Sequence, residues 1–324
     1  VDDPDQPGFN WYLPFGAKKI SDIFSANPNL QLCKEICTPL YRIQLFQRKD
    51  SETLTIKPLI QKIPQPTPVP PKVEPSVYWH GAIPPELPKQ EITTAKLPIL
   101  MYHSVAPSGL TLLNRYRITP EVFEDQLKYL SDAGYYSADW DAWLTAMKNR
   151  QPLPGRAIML TFDDGYKDFY DFAWPVLKKY NFTATVFLVT SQIGGKNVWD
   201  STYGEEVQLM SREEIQKLHC EGVVFGSHTA THASLAGSSP VDITKELAIS
   251  RSSMIQDLGI NTKLIAYPYG ATNKVVSYLA GGCGYQVGLS SLEEFSNFLN
   301  DPLLLPRLEI KGSYSLADFI AKLS

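Results

Sequence analysis

From residue 97 onward, short apolar runs rich in branched and aromatic side chains recur between stretches of helical periodicity. The runs are Leu97–Tyr102, Ala157–Phe162, Thr183–Val189, Val223–Gly226, Leu264–Tyr267, Gln286–Leu289 and Leu305–Ile310. Their alternation with helical patterns predicts a parallel sheet with helical crossovers. The helices carry their own punctuation. Thr119 is an N-cap with Pro120 at the first helical position, Phe123, Leu127 and Leu130 form one apolar stripe, and Gly134 ends the pattern. Ser211 and Glu214 form a capping box ahead of Ile215 and Leu218. About seven strand–helix units in roughly 230 residues favour an α/β fold of the (β/α) barrel type over an open doubly wound sheet.

Before this domain the pattern changes. Residues 64–76 hold six prolines and predict a polyproline II spacer that packs into neither sheet nor helix. The chain therefore divides into a small N-terminal module (1–63), a proline-rich linker (64–96) and a large domain (97–324). Within the module, Trp11, Tyr12 and Phe15 precede an alternating stretch at Tyr41–Gln47 that predicts one strand. The full length of 324 residues, 44% hydrophobic, allows a large core. A net charge of −4 argues against a nucleic-acid partner. No apolar run is long enough to span a bilayer, and the start Val1-Asp-Asp-Pro lacks an initiator Met and a signal sequence, as expected of a mature or trimmed chain. Four cysteines are few for a disulfide scaffold, and the pairing state of Cys33 and Cys37 stays open.

The chemistry concentrates in two segments. Thr161-Phe-Asp163-Asp164-Gly165-Tyr166 supplies adjacent carboxylates, and His228-Thr-Ala-Thr-His232 supplies paired imidazoles. Two histidines and one carboxylate can hold three corners of a tetrahedral Zn²⁺ and leave the fourth to water. The second carboxylate is then free to take a proton. Asp-Asp-Gly alone would pass as a tight turn, and loop histidines alone as solvated polar residues. Their convergence favours a site. In a barrel, His103, Asp163, Asp164, His228 and Tyr269 all lie just past the end of a strand, where barrel chemistry is placed.

Together with Tyr267-Pro-Tyr-Gly270, the two segments are similar to the successive motifs of the polysaccharide deacetylase family, the carbohydrate esterases that share the NodB homology domain. The resemblance covers roughly residues 97–324 and implies a distorted (β/α) barrel, a divalent metal and hydrolysis of N-acetyl groups on amino-sugar polymers. Asp163 resembles the catalytic base, Asp164, His228 and His232 the metal ligands, and Tyr269 the residue whose backbone N–H stabilises the developing oxyanion. Zn²⁺ is the first choice for this ligand set, with Co²⁺ or Ni²⁺ as alternatives. The sequence departs from the family pattern twice. Ala266 stands where an arginine usually orients the base, and the C-terminal Leu-x-His motif is replaced by Leu305-Pro-Arg307-Leu. His103, in Met101-Tyr-His103-Ser, resembles the general acid of poly-β-1,6-N-acetylglucosamine deacetylases, which arrives from the beginning of the domain. Arg307 is the candidate to orient the base, an ordinary ion pair being the other reading.

Tyr267, Tyr269, Trp199 and Tyr203 are candidates for a sugar-binding platform, with Asp200 as a hydrogen-bond acceptor. The expected substrate is an N-acetylated exopolysaccharide, with peptidoglycan, chitin and O-acetylated xylan as variants of the same chemistry. Two other classes compete: a carbohydrate-binding relative without activity, and a phosphoryl transferase using Asp163, Asp164 and Mg²⁺. The histidine pair argues against the second, because Mg²⁺ prefers oxygen ligands. A polymeric substrate and a proline-rich spacer predict an extracytoplasmic location, with residues 1–63 available to a cell-envelope or exopolysaccharide-machinery partner.

Overall fold

The computed structural model describes residues 30–37, 41–48, 57–62, 96–107, 112–204 and 206–324. The proline-rich spacer with His80, and the side chains of Cys33 and Cys37, lie outside what is described. The chain divides into two units, Val1–Ser76 and Val77–Ser324. In the first, Leu30–Cys37, Tyr41–Arg48 and Lys57–Lys62 form a three-stranded antiparallel sheet in sequence order. The alternating stretch at Tyr41 is its central strand.

The second unit is built on seven parallel strands: β1 (Ile99–Tyr102), β2 (Arg156–Phe162), β3 (Thr185–Leu188), β4 (Val224–Ser227), β5 (Leu264–Ala266), β6 (Val287–Leu289) and β7 (Leu308–Glu309). They hydrogen-bond in the order β6-β5-β4-β3-β2-β1-β7. Leu308 pairs with Leu100, and Leu305, just ahead of β7, bridges Leu289 in parallel. Residues 305–309 thus connect the last strand of the path back to the first and close a distorted ring. The strands are apolar because they are covered on both faces: all four residues of β1 and β3 are buried, as are six of the seven in β2.

Two expected strands are cut short by a proline. Pro98 has no N–H to give, and it splits the first run, so that Lys96–Leu97 pairs antiparallel with Ser296–Asn297 while β1 begins at Ile99. Pro306 similarly confines β7 to Leu308–Glu309. A three-residue strand, Tyr135–Ser137, pairs with the start of β2 and was too short to show a period in the sequence.

Helices α1 (Pro120–Asp132), α2 (Trp140–Asn149), α3 (Trp174–Lys179), α4 (Arg212–Cys220), α5 (Pro240–Leu258), α6 (Lys274–Gly282) and α7 (Leu316–Lys322) connect or follow the strands. Thr119 caps α1 by accepting from the N–H of Val122, and the Ser211–Glu214 capping box opens α4. The α1 stripe Phe123, Leu127 and Leu130 packs with Leu100, Leu160 and Phe162, each burial contributing roughly 1.5–3 kcal/mol. Among the described residues no helix is long and apolar enough to cross a membrane.

Candidate active site

The strands end together, and the residues that leave them converge. After β2 the chain turns sharply: Asp163 N–H donates to the Tyr102 carbonyl, and Asp164 and Gly165 both take left-handed conformations, with φ of 73° and 75°. Glycine suits 165, where a residue with a Cβ would be strained by the left-handed φ and would push on Leu188 Cδ2 at 2.8 Å. The turn aims the two carboxylates apart. Asp163 faces Arg307, whose Nη1 and Nη2 donate to Oδ1 and Oδ2 at 2.7 and 2.8 Å. Arg307 is itself fixed by the Ser290 carbonyl at 3.0 Å and Thr161 Oγ1 at 3.3 Å, and is 1% exposed. A guanidinium therefore does orient Asp163, but it reaches the carboxylate from the ring-closing segment rather than from position 266.

Asp164 faces the histidines. Its Oδ1 lies 3.5 Å from His228 Nε2 and 3.2 Å from His232 Nε2, yet it is buried and makes no hydrogen bond of acceptable geometry. The far side of each ring is engaged. His228 Nδ1 sits 2.8 Å from the Ala266 carbonyl oxygen, which can only accept, so that nitrogen carries the proton. His232 Nδ1 lies 3.1 Å from the Tyr269 hydroxyl. Both imidazoles are thus set to present Nε2 to a common point, and the three donor groups lie within 4.8 Å of one another. An orphaned buried carboxylate oxygen between two oriented imidazoles fits a divalent cation of borderline softness.

The electrostatics agree. Burial pushes the His228 imidazole down to about 4, leaving it neutral with a lone pair to offer. For both carboxyls burial acts upward but is outweighed. Asp163 is held below its ordinary value by Arg307 and His228, and Asp164 well below the usual carboxylate range by His232 and His228. Both are ionised at neutral pH.

Around this centre lies a cavity of about 600 Å³. His103 lines it, half-buried after β1, with its ring centre 4.9 Å from that of Tyr116 and its Nδ1 buried without a hydrogen bond. Opposite, Trp199 stacks on His232 with centroids 4.5 Å apart and planes 15° from parallel. Tyr203 and Tyr269 are exposed on the rim, and Asp200 Oδ2 accepts from the Tyr166 hydroxyl at 3.1 Å and Asn197 Nδ2 at 3.0 Å. Tyr267 corrects the sequence expectation. It is fully buried, its hydroxyl donates to the Leu303 carbonyl, and a ring with no exposed face offers no platform for a sugar.

Two supporting residues went unread in the sequence. Asp168, buried, accepts from Ser104 Oγ at 2.6 Å and more weakly from Val105 N–H, tying the segment that follows His103 to the one that follows Asp164. Asn197 braces Asp200 and, through Oδ1, the Val207 N–H. Asp168 has no spacing signal, its partner Ser104 being 64 residues away, whereas Asn197 stands three residues before Asp200, a short spacing that the sequence does carry.

Residues 150–288 match the model of the polysaccharide deacetylase family. That stretch carries the sequence pattern of a polysaccharide deacetylase domain. Asp163, Asp164, His228, His232 and Tyr269 fall inside the matched stretch, whereas His103 and Arg307 lie on either side of it. A putative polysaccharide deacetylase of Bacillus subtilis, YxkH, is 34% identical over 198 residues, which is 61% of this chain and 65% of that protein, so the chain spans just under two thirds of it. The poly-β-1,6-N-acetyl-D-glucosamine N-deacetylase of Staphylococcus epidermidis is 28% identical over 216 residues, covering 63% of this chain and 72% of that one. Among solved structures, Streptococcus pyogenes deacetylase PplD in complex with acetate superposes with a TM-score of 0.61 at 28% identity, covering 71% of this chain and 98% of that one. IcaB from Ammonifex degensii gives 0.61 at 25% identity, with 71% and 97% covered.

Proposed function

We propose that residues 97–324 form a metal-dependent hydrolase that removes N-acetyl groups from an N-acetylglucosamine polysaccharide of the poly-β-1,6-linked type. The observation that carries this reading is the division of labour between adjacent carboxylates: Asp164 is orphaned between two imidazoles, and Asp163 is held ionised beside it by Arg307. The name of the staphylococcal relative and the arrival of a histidine from β1 support the choice of polymer.

Asp164, His228 and His232 would hold the cation, Zn²⁺ by ligand type with Co²⁺ or Ni²⁺ as alternatives. When bound, the cation supplies Lewis acidity toward the amide carbonyl and makes the attacking water more acidic. Asp163 accepts a proton from that water, and Arg307 keeps the carboxylate aimed and charged. The Tyr269 N–H donates to the carbonyl oxygen as negative charge develops there. His103 delivers a proton to the leaving nitrogen, so the C–N bond breaks to give acetate and a neutral amine. Trp199 and Tyr203 offer faces to the sugar rings, and Asp200 accepts from a sugar hydroxyl. An extracytoplasmic location suits a polymeric substrate, and residues 1–63 are available to a cell-envelope or exopolysaccharide-machinery partner.

The test is acetate release from β-1,6- and β-1,4-linked N-acetylglucosamine oligomers after chelation and metal add-back. Activity lost to the chelator, restored by Zn²⁺ and greater on the β-1,6 series supports the reading. Asp163→Asn should lose about 10²- to 10⁴-fold in turnover while retaining metal. Undiminished acetate release by that variant would remove Asp163 as the base.

A further inference from the structure

The pentad that ends in His232 is held in an unusual shape. Thr229 and His232 both have left-handed backbone, with φ of 65° and 64°, a region that residues with a Cβ rarely adopt and branched ones least of all. Something must hold it there. Part of the restraint comes from its own stem: Thr229 N–H donates to Ser227 Oγ at 3.1 Å, and Ser227 Oγ is 2.6 Å from Ser250 Oγ on α5. One turn earlier on α5 stands Glu246. Its Oε2 accepts the N–H groups of Ala230 and Thr231 at 3.0 and 2.9 Å, and its Oε1 accepts the Thr231 hydroxyl at 2.8 Å. One carboxylate therefore gathers two consecutive backbone donors at the centre of the pentad, flanked by the two left-handed residues. Ala230 is 3% exposed, so its N–H has little water to turn to if that acceptor is removed.

We infer that Glu246 is a positioning residue for the metal ligand His232: it fixes the 229–232 backbone in the shape that carries the His232 Nε2 to Asp164. Glu246 lies sixteen residues from Ala230 and touches neither imidazole in any hydrogen bond or ion pair given by the structure. It acts through the backbone and the Thr231 hydroxyl. The inference rests on the metal-centre reading above.

The experiment measures Zn²⁺ affinity of the metal-free chain by competition with a chromophoric chelator, for wild type, Glu246→Ala and Glu246→Gln. Losing a residue that orients a ligand commonly costs 10- to 100-fold in metal affinity, so Glu246→Ala should weaken binding by about tenfold or more. Glu246→Gln keeps an oxygen for the two N–H groups and an amide nitrogen for Thr231 Oγ1, and should recover most of the loss. Thermal midpoints of the metal-free proteins are read alongside. A lower midpoint for Glu246→Ala with unchanged Zn²⁺ affinity would overturn the inference, since it would mark a role in stability only. If the wild type itself fails to take up Zn²⁺, the metal-centre reading falls. Amide exchange in the metal-free proteins then decides the remainder: faster exchange at Ala230 and Thr231 in Glu246→Ala, but not in Glu246→Gln, upholds the backbone clamp, and equal exchange in all three overturns it.

Discussion

The chain reverses direction at both ends of the ring, and it does so by opposite means. Where helices run into strands, left-handed backbone falls mostly on glycine: Gly134, Gly222, Gly259 and Gly284 follow α1, α4, α5 and α6, with Asn181 after α3 and Arg150 capping α2. These positions are relaxed. A Cβ at Gly134, Gly222 or Gly259 would meet nothing within 4 Å, so glycine serves the backbone and not the packing. Where strands run out, left-handed backbone falls on Asp164, Thr229, His232 and Tyr269. Each such residue costs on the order of 1–3 kcal/mol, and each carries a side chain into or beside the candidate site. Buried carboxyl, imidazole and guanidinium side chains follow the same division. Among the described residues, Asp163, Asp164, Asp168, His228, His232 and Arg307 gather at the strand exits, whereas buried Arg251 bonds to the Thr262 carbonyl and Asn261 at the other end. One end is built for stability and the other spends some of it on aim.

Substitutions at the two ends should separate these roles. The largest effect is expected from Arg307→Lys, which keeps the charge but loses the two-point grip on Asp163. Turnover should fall by about a hundredfold, since a misplacement near 1 Å can cost that much, with Zn²⁺ affinity little changed. Steady-state kinetics with parallel metal titration would show it, and wild-type turnover would mean the ion pair is structural.

A smaller effect is expected from Asp168, the buried carboxyl that has only neutral donors. Burial pushes it up to about 6 from an ordinary value of 3.8. Between those values the unfolded chain has released its proton and the folded chain has not. Rising pH therefore favours unfolding there, and the contribution is lost from about pH 4 to about pH 6 and constant above. Asp168→Asn should remove this part of the pH dependence, a difference on the order of 2–3 kcal/mol in denaturant unfolding compared at pH 4 and pH 7. Parallel pH profiles for the two proteins would count against it.

The smallest is Gly259→Ala at the relaxed end. It should cost about 1 kcal/mol in denaturant unfolding and leave acetate release untouched. Loss of activity from that change would break the division between the two ends.

Much of this was legible in the residues. Asp163, Asp164, His228 and His232 stood out because metal ligation needs particular side chains at short range, and their spacing within each segment survives in one dimension. The seven strand cores showed as apolar runs because parallel strands are buried on both faces, while Pro98 and Pro306 trimmed two of them by withholding an N–H. Tyr267 is buried where the sequence predicts a platform residue, and an aromatic at a strand end reads alike whether it turns inward or outward. Asp168 and Glu246 left no trace, since they bind backbone groups and the hydroxyls of a distant serine or threonine that any sequence could supply.

The segment that closes the ring also brings the guanidinium to Asp163, and this sets an order of events during synthesis. By the time residue 300 has left the ribosome, the chain already contains every side chain that would hold a cation, together with His103. It still lacks Arg307, and its first and last strands have no partner between them. Closure of the ring and the two-point grip on Asp163 are then one step, taken only when that strand docks.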